Sequence, residues 1–410
     1  MEPNQPSDNN NSDFEPREDV VSLGEDEFKA AFGESLDTAL DIDTWRPGDD
    51  LAAATERLER EIADSVEQDN RVRQEIRDRL FPIAFTSPDA PPNAGSYQIE
   101  PANLEQVQRG LLFNGAVEAC DGTSLVHDSL ALTIAQIGVS TVSYVGNAGT
   151  WMQRLFRRDL RVKGTNPIEE AIMLLERRSH RGSTDAPDAR DTLSELSRRG
   201  IMSFAERKIL LDKCTAPWRM GHGNPTPYEL LTGGGLVIDG DMPLLRKSLE
   251  VWEKLLIKHK KWIFVPSAPV DRVLLTLGSA LYPLEYALID TAGRVMSDII
   301  EGHLPKGIKA EARKFVDAVG AQIVVGVYRA SRAAPPQMFY AHLEYAHQAA
   351  IIAMADSALR EHRGFPMLID LADLVCRATF GASEFEAVVQ QAYVQAGAPF
   401  RYLGERETRK

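Results

Sequence analysis

Leu51, Leu58, Ile62, Val66 and Ile76 stand at roughly helical spacing in residues 51–80, LAAATERLEREIADSVEQDNRVRQEIRDRL, with charges between them. The pattern predicts one amphipathic helix, suited to pairing with a partner helix or second subunit and equally to an ordinary surface position. Residues 1–18 are polar and Asn-rich and predict a disordered tail. The Pro-rich stretch SPDAPPNAG at 87–95 reads as a linker. From about residue 110 short apolar runs alternate with helical stretches. Strands are predicted at 113–120, 137–146, 158–162, 235–239, 262–266 and 321–328. Helices are predicted at 167–178, 203–214, 243–259 and from about 336 to 362. Helical sequence also runs through 271–300, with Asp290 inside it, and through most of the tail 365–403. The alternation predicts one α/β sheet with helices packed against it. The expected organisation is a helical extension over 19–100, the sheet domain over 110–364, and a helical C-terminal tail over 365–410.

Two of the predicted strands end alike. Residues 113–124 read FNGAVEACDGTS and residues 235–241 read GLVIDGD, so Asp121-Gly122 and Asp239-Gly240 each close an apolar run. Asp-Gly is a common turn dipeptide, since glycine accepts positive φ. The alternative is a pair of metal-binding carboxylates at neighbouring strand ends, where α/β sheets place ligands. Such a pair suits Mg²⁺ or Mn²⁺, hard cations that take oxygen ligands. A third acid would complete the site. Glu229 is one candidate, in the loop-like segment APWRMGHGNPTPYELLTGGG at 216–235, which also holds His222 and Tyr228. Glu206, in FAERKILLDK, is the rival, and its plain reading is a solvated helix face. The stretch PPQMFYAHLEYAH at 335–347 adds His342 and His347. Tyr340 and His347 are seven apart, which places them on one helical face. A histidine beside a metal site can orient phosphate or move a proton, while a satisfied core histidine is the plain reading.

Composition narrows the class. The chain has 410 residues and is 43% hydrophobic, enough for a sizeable core. No apolar run approaches the roughly 18 residues that span a bilayer. The first residues have neither the basic nor the apolar region of a signal peptide. Cys120, Cys214 and Cys376 are widely spaced and odd in number, which fits reduced thiols in a cytoplasmic protein. Residues 1–50 hold fifteen Asp or Glu against three Lys or Arg, so all but −2 of the net charge of −14 sits there. The remainder is near neutral and carries basic clusters, among them Arg154, Arg157, Arg158, Arg161 and Lys163. The overall charge therefore does not exclude a polyanionic ligand, although such clusters are commonly solvated faces. No phosphate-cradling P-loop, dinucleotide fingerprint, H-E-x-x-H or nucleophile elbow is present, which argues against ATP hydrolysis by this chain alone.

In order along the chain, a strand ending in Asp-Gly-Thr, a later strand ending in Val-Ile-Asp-Gly and a C-terminal Tyr and His seven positions apart resemble the NurA nuclease family over roughly residues 110–360. The resemblance implies an RNase H-like mixed sheet flanked by helices. It puts the family's first motif Asp on Asp121, its second on Asp239, its C-terminal His on His347 and the accompanying tyrosine on Tyr340. The family's catalytic Glu lies on a helix before the second Asp-Gly strand. Glu229 is closer to Asp239 than that pattern implies and Glu206 is farther, so both stay open, with Glu229 favoured for its Pro/Gly-rich setting. Thr123 stands where the family often has Ser. The implied activity is a Mn²⁺- or Mg²⁺-dependent DNase, with Asp121, Asp239 and Glu229 as metal ligands. It would act as an exonuclease and single-strand endonuclease. The implied assembly is a homodimer seated on a HerA-type hexameric ATPase, in DNA end processing or anti-phage defence, with no membrane association. Arg157, Arg158 and Arg219 would track the DNA backbone. The acidic first 50 residues are a solubilising tail, a partner-docking arm, or a shield over the DNA channel that DNA displaces. A non-catalytic adaptor of a motor ATPase and a small-nucleotide phosphoesterase are the rival functions.

Overall fold

The computed structural model describes residues 24–45, 51–128, 132–146, 149–157, 195–232, 236–267, 271–304 and 306–398. The expected tail 1–18, strand 158–162 and helix 167–178, together with Arg158, lie outside them. The chain divides into two compact units, residues 1–70 and 71–410. The first holds a helix at Glu25–Phe32 and a short one at Leu36–Leu40; α1, Leu51–Glu75, runs across the boundary, and a π-helical turn over Ile76–Leu80 follows it in the second. Leu58, Ile62 and Val66 form an exposed stripe on α1.

The second unit is built on one nine-stranded sheet. Its strands are β1 Gly95–Gln98, β2 Val117–Asp128, β3 Thr133–Val142, β4 Gly149–Arg157, β5 Trp218–His222, β6 Trp262–Val265, β7 Glu285–Thr291, β8 Ile323–Arg329 and β9 Gln337–His342. The order is β1-β7-β8-β9-β6-β5-β2-β3-β4. Strands β2, β3 and β4 form an antiparallel meander, and β5 and β6 continue it in parallel. This half is the expected RNase H-like mixed sheet. Strands β9, β8, β7 and β1 extend it, all antiparallel.

Helices cover both faces. Helix α2, Glu195–Asp212, packs on β2 and β3, and α3, Pro243–Glu253, lies against it. Leu210, Leu245, Trp252, Leu255 and Phe264 fill that side. The opposite face is closed by α4, Ala346–Ser357, and α5, Met367–Phe380. α5 packs tightly on β2 and β3. Ser140 Oγ donates to the Ala372 carbonyl at 2.6 Å, and a Cβ on Gly138 would stand 2.3 Å from the Phe380 ring. The stretch 365–380 is thus part of the sheet domain's core.

Several local expectations change. β2 begins after a turn at Gly115, whose φ is +77°, and runs on through Asp121-Gly122, because β3 pairs along its whole length. The Asp-Gly pair therefore does not end that strand. Residues 236–241 form no strand. They make a tight turn closed by the Ile238–Asp241 bridge, with Asp239 at φ +51° and Gly240 at φ +80°. The turn reading of Asp-Gly holds at this second site. The predicted helix from 336 opens instead with β9, a central strand buried at every position. A strand covered on both faces shows no alternation, so its apolar run imitates a buried helix. Tyr340 lies on β9 and His347 on α4, so the two do not share a helical face. Asp290 lies on β7, which falls inside the predicted helical run 271–300.

Candidate active site

Where β2 leaves β5, the backbone brings two polar side chains together. The parallel ladder ends at Cys120 opposite Gly221, so Asp121 and His222 stand side by side just past it. Side chains alternate along a strand, so both point to the face that carries Ala119 and Met220, where α5 lies. The His222 ring packs edge-on against Phe365 just before α5, and its Nδ1 donates to Asp121 Oδ1 at 3.3 Å. The same oxygen accepts the Gly122 amide at 2.8 Å.

A cleft of about 700 Å³ opens around this pair. Glu206 enters it from α2. A Cβ on Gly122 would stand 2.5 Å from Glu206 Oε1, so only glycine lets the carboxylate approach the strand here. Its other oxygen, Oε2, accepts from Arg207, whose guanidinium also donates to the carbonyls of His222 at 2.7 Å and Asn224 at 3.2 Å and stacks over Phe264. Asp373 enters from α5, paired with Arg377 at 2.6 Å. Arg199 and Arg363 line the same cleft.

The electrostatics show crowded negative charge. Burial pushes Glu206 up to about 7 against the pull of Arg207, and the Asp121 charge adds to the rise. Burial and then the Asp121 charge raise Asp373. Burial lowers His222, but its hydrogen bond to Asp121 and the charges of Asp121 and Glu206 outweigh this, and its pKa is raised. The Asp121 charge thus raises both neighbouring carboxyls, and three carboxylates lining one cleft have the donor chemistry of a hard divalent cation site. In this arrangement, however, no three His, Cys, Asp or Glu side chains among the described residues are gathered as a metal shell. Only Asp121 and His222 stand in contact. Asp121, Glu206, His222 and Asp373 are the side chains that would hold such an ion.

The other expected residues lie elsewhere. Asp239 is exposed on its turn and does not line the cleft. Its neighbour Asp241 pairs with Arg246 at 2.9 Å. Glu229 is 1% exposed on the short helix Tyr228–Thr232, with Oε1 packed against Gly200 of α2 and without a hydrogen-bond partner. Burial raises its pKa, and it does not line the cleft. His347 sits at the start of α4, bonded through Nδ1 to Tyr286 at 2.7 Å and through Nε2 to Asn93 at 3.2 Å, in a cluster with Tyr97. Tyr340 reaches the cleft indirectly, by accepting from Asn224 Nδ2 at 2.9 Å. Arg219 spends its guanidinium on the carbonyls of Leu210, Leu211 and Cys214, tying down the end of α2, so it is not free to track a DNA backbone. Arg157 closes β4. The sequence marks His222 only as part of an unusual loop. Asp373 carries no mark at all, because an Asp and an Arg four apart read as an ordinary helix-surface pair.

A scan of known family profiles finds no match, and a comparison with curated proteins finds none. Comparison with solved structures finds NurA nuclease from Sulfolobus solfataricus, 10% identical, covering 82% of this chain and 98% of that one, with a TM-score of 0.41. NurA bound to dAMP and manganese matches at 10% identity over 85% of this chain and 98% of that one, with a TM-score of 0.40. Ciona intestinalis endonuclease V in complex with inosine-containing DNA matches at 10% identity, with a TM-score of 0.25, over 80% and 99% of the two chains.

Proposed function

We propose that this chain is a divalent-metal-dependent DNA nuclease whose reacting centre is the cleft around Asp121. The observation that carries the reading is that Asp121, Glu206 and Asp373 line one cleft at the side of an RNase H-like sheet, together with Arg199 and Arg363. At about 700 Å³ the cleft matches the size of small-ligand sites and suits a nucleotide. A bound divalent cation supplies an activated water and neutralises charge on the phosphate. Asp121 and Glu206 hold the oxygen-rich side of the site. Arg199 and Arg363, the latter now bonded to Asp370 at 2.7 Å and exchanging that partner for phosphate, draw the backbone in through contacts that are sequence-independent and salt-sensitive. Arg207 does not face DNA in this role; it balances Glu206 and fixes the loop after β5. The NurA resemblance supports DNA as the substrate, manganese as the ion, and a homodimer on a HerA-type ATPase as the assembly. The exposed stripe of α1 suits such pairing.

The test is an assay of linear duplex and single-stranded DNA with Mn²⁺, with and without EDTA. The reading expects Mn²⁺-dependent cleavage that EDTA stops. Cleavage that persists in EDTA, or no cleavage with or without an added HerA-type partner, overturns it.

A further inference from the structure

At the other end of β5 from the cleft lies a second hollow, of about 230 Å³. Trp218 opens β5 and lines this hollow, whereas His222 closes the strand and lines the cleft. At roughly 3.3 Å per residue the two ends stand about 13 Å apart. One wall of the hollow is the helix Pro101–Val107 with the π-helical turn Gln108–Leu112 that follows, and it supplies Val107 and Leu111. The other wall is α4, which supplies Ile351 and Ile352. Gln108 Nε2 donates to the Ala355 carbonyl at 2.9 Å and pins the two walls together, so the hollow is pre-formed. Trp218 and Tyr345 close its end, their rings edge-to-face with centroids 6.0 Å apart. Beside these rings the polar lining is Lys261, with Nζ 5.5 Å above the Tyr345 ring, and the exposed Gln348. Neighbouring Lys260 is paired with Glu344 at 2.6 Å, but among the described residues Lys261 has no carboxylate partner.

We propose that this hollow is a docking site for an acidic segment of a partner protein. The segment buries one phenylalanine-sized side chain against Trp218, Tyr345 and Ile351 and sets a flanking carboxylate on Lys261. The volume admits one large side chain, and walls this apolar favour an anchor without polar atoms. Charge complementarity fixes the sign of the partner. The ammonium at the mouth has no acid of its own chain, and a carboxylate beside the anchor pairs with it at the rim without desolvating either charge fully. A nucleotide suits the hollow poorly, because its base would bring several donors and acceptors into a space with almost nothing to pair them. The inference goes beyond the nuclease reading and does not rest on it. A partner seated at this end of β5 leaves the cleft at the other end open.

The test is fluorescence anisotropy of the full chain with a labelled short peptide of Asp and Glu around one phenylalanine. A control peptide carries alanine in its place. The Lys261→Glu and Ile351→Lys variants are compared with the wild type, and circular dichroism checks that each is folded. The expected result is binding that weakens at least about tenfold when the phenylalanine is lost, as truncation of a buried aromatic anchor does. Ile351→Lys, which puts a charge into the apolar wall, should weaken it by a similar factor. Lys261→Glu should weaken it about fivefold at low salt and less at high salt. No binding at millimolar peptide overturns the inference. Binding indifferent to the phenylalanine or to both substitutions overturns it too, as does displacement of the peptide by dAMP. Lys261 stands at the mouth, so its variant keeps the test decisive even if Ile351→Lys fails to fold.

Discussion

At the scale of single residues the site depends on close approaches. Gly122 leaves room for the Glu206 carboxylate beside Asp121, and Gly122→Ala would push that carboxylate out by the width of a methyl group. We expect the variant to stay folded and to lose cleavage by roughly ten- to hundredfold, since small misplacements at a reacting centre cost about that much. Steady-state cleavage rates alongside a thermal melt check this. Asp356 offers a test away from the site. It is fully buried on α4, accepts from Tyr144 at 2.5 Å and from the Leu368 amide at 2.8 Å, and burial raises its pKa to about 6. A carboxyl whose folded pKa lies above its unfolded value binds its proton more tightly when folded. Its contribution is therefore fully present below about pH 4 and is lost as pH rises toward about 6. Asp356→Asn has no such proton. The stability difference between wild type and variant should shrink across that window in urea unfolding series. A difference that stays flat from pH 4 to 7 contradicts the assignment.

At the scale of elements, α5 is what turns a sheet end into a cleft. It carries Asp373, and the Phe365 that backs His222 directly precedes it. Its far end is held where Phe380 covers Gly138. Phe380→Ala removes a side chain that is only 7% exposed and should cost about 3–5 kcal/mol. That loss should appear as a lowered melting temperature together with loss of cleavage. Elements also explain what could be read in advance. β2, β3, β6 and β8 are legible because branched and aromatic residues cluster in short runs between turn signals. β9 is not, since burial on both faces erases alternation. β5 is hidden among Gly and Pro, as only five residues between two loops form the strand. Asp121 is marked in the sequence, whereas Glu206 is only the less favoured rival of Glu229 there, and what brings both to one cleft is the packing of α2 against β2. Asp239 carries the same Asp-Gly signature as Asp121 and ends on an exposed turn, because a turn dipeptide and a strand-borne ligand look alike without the register.

At the scale of the whole molecule, charge is divided unevenly. The first 50 residues carry most of the negative charge, and the rest is close to neutral. If that segment repels DNA, removing residues 1–50 should tighten DNA binding at low salt. The gain should fade as the Debye length falls to about 10 Å near 0.1 M and shorter beyond. Fluorescence anisotropy across a salt series reads this, and an unchanged affinity at low salt contradicts it. Among the described residues no helix is long and apolar enough to cross a membrane.

The most direct measurement sets the two Asp-Gly carboxylates against each other: Mn²⁺-dependent cleavage of single-stranded DNA by Asp121→Asn and by Asp239→Asn, each confirmed folded. The account predicts that Asp121→Asn loses cleavage by three orders of magnitude or so, as removal of a key catalytic group does, while Asp239→Asn cuts like the wild type. Full activity in Asp121→Asn, or its loss in Asp239→Asn alone, would contradict it.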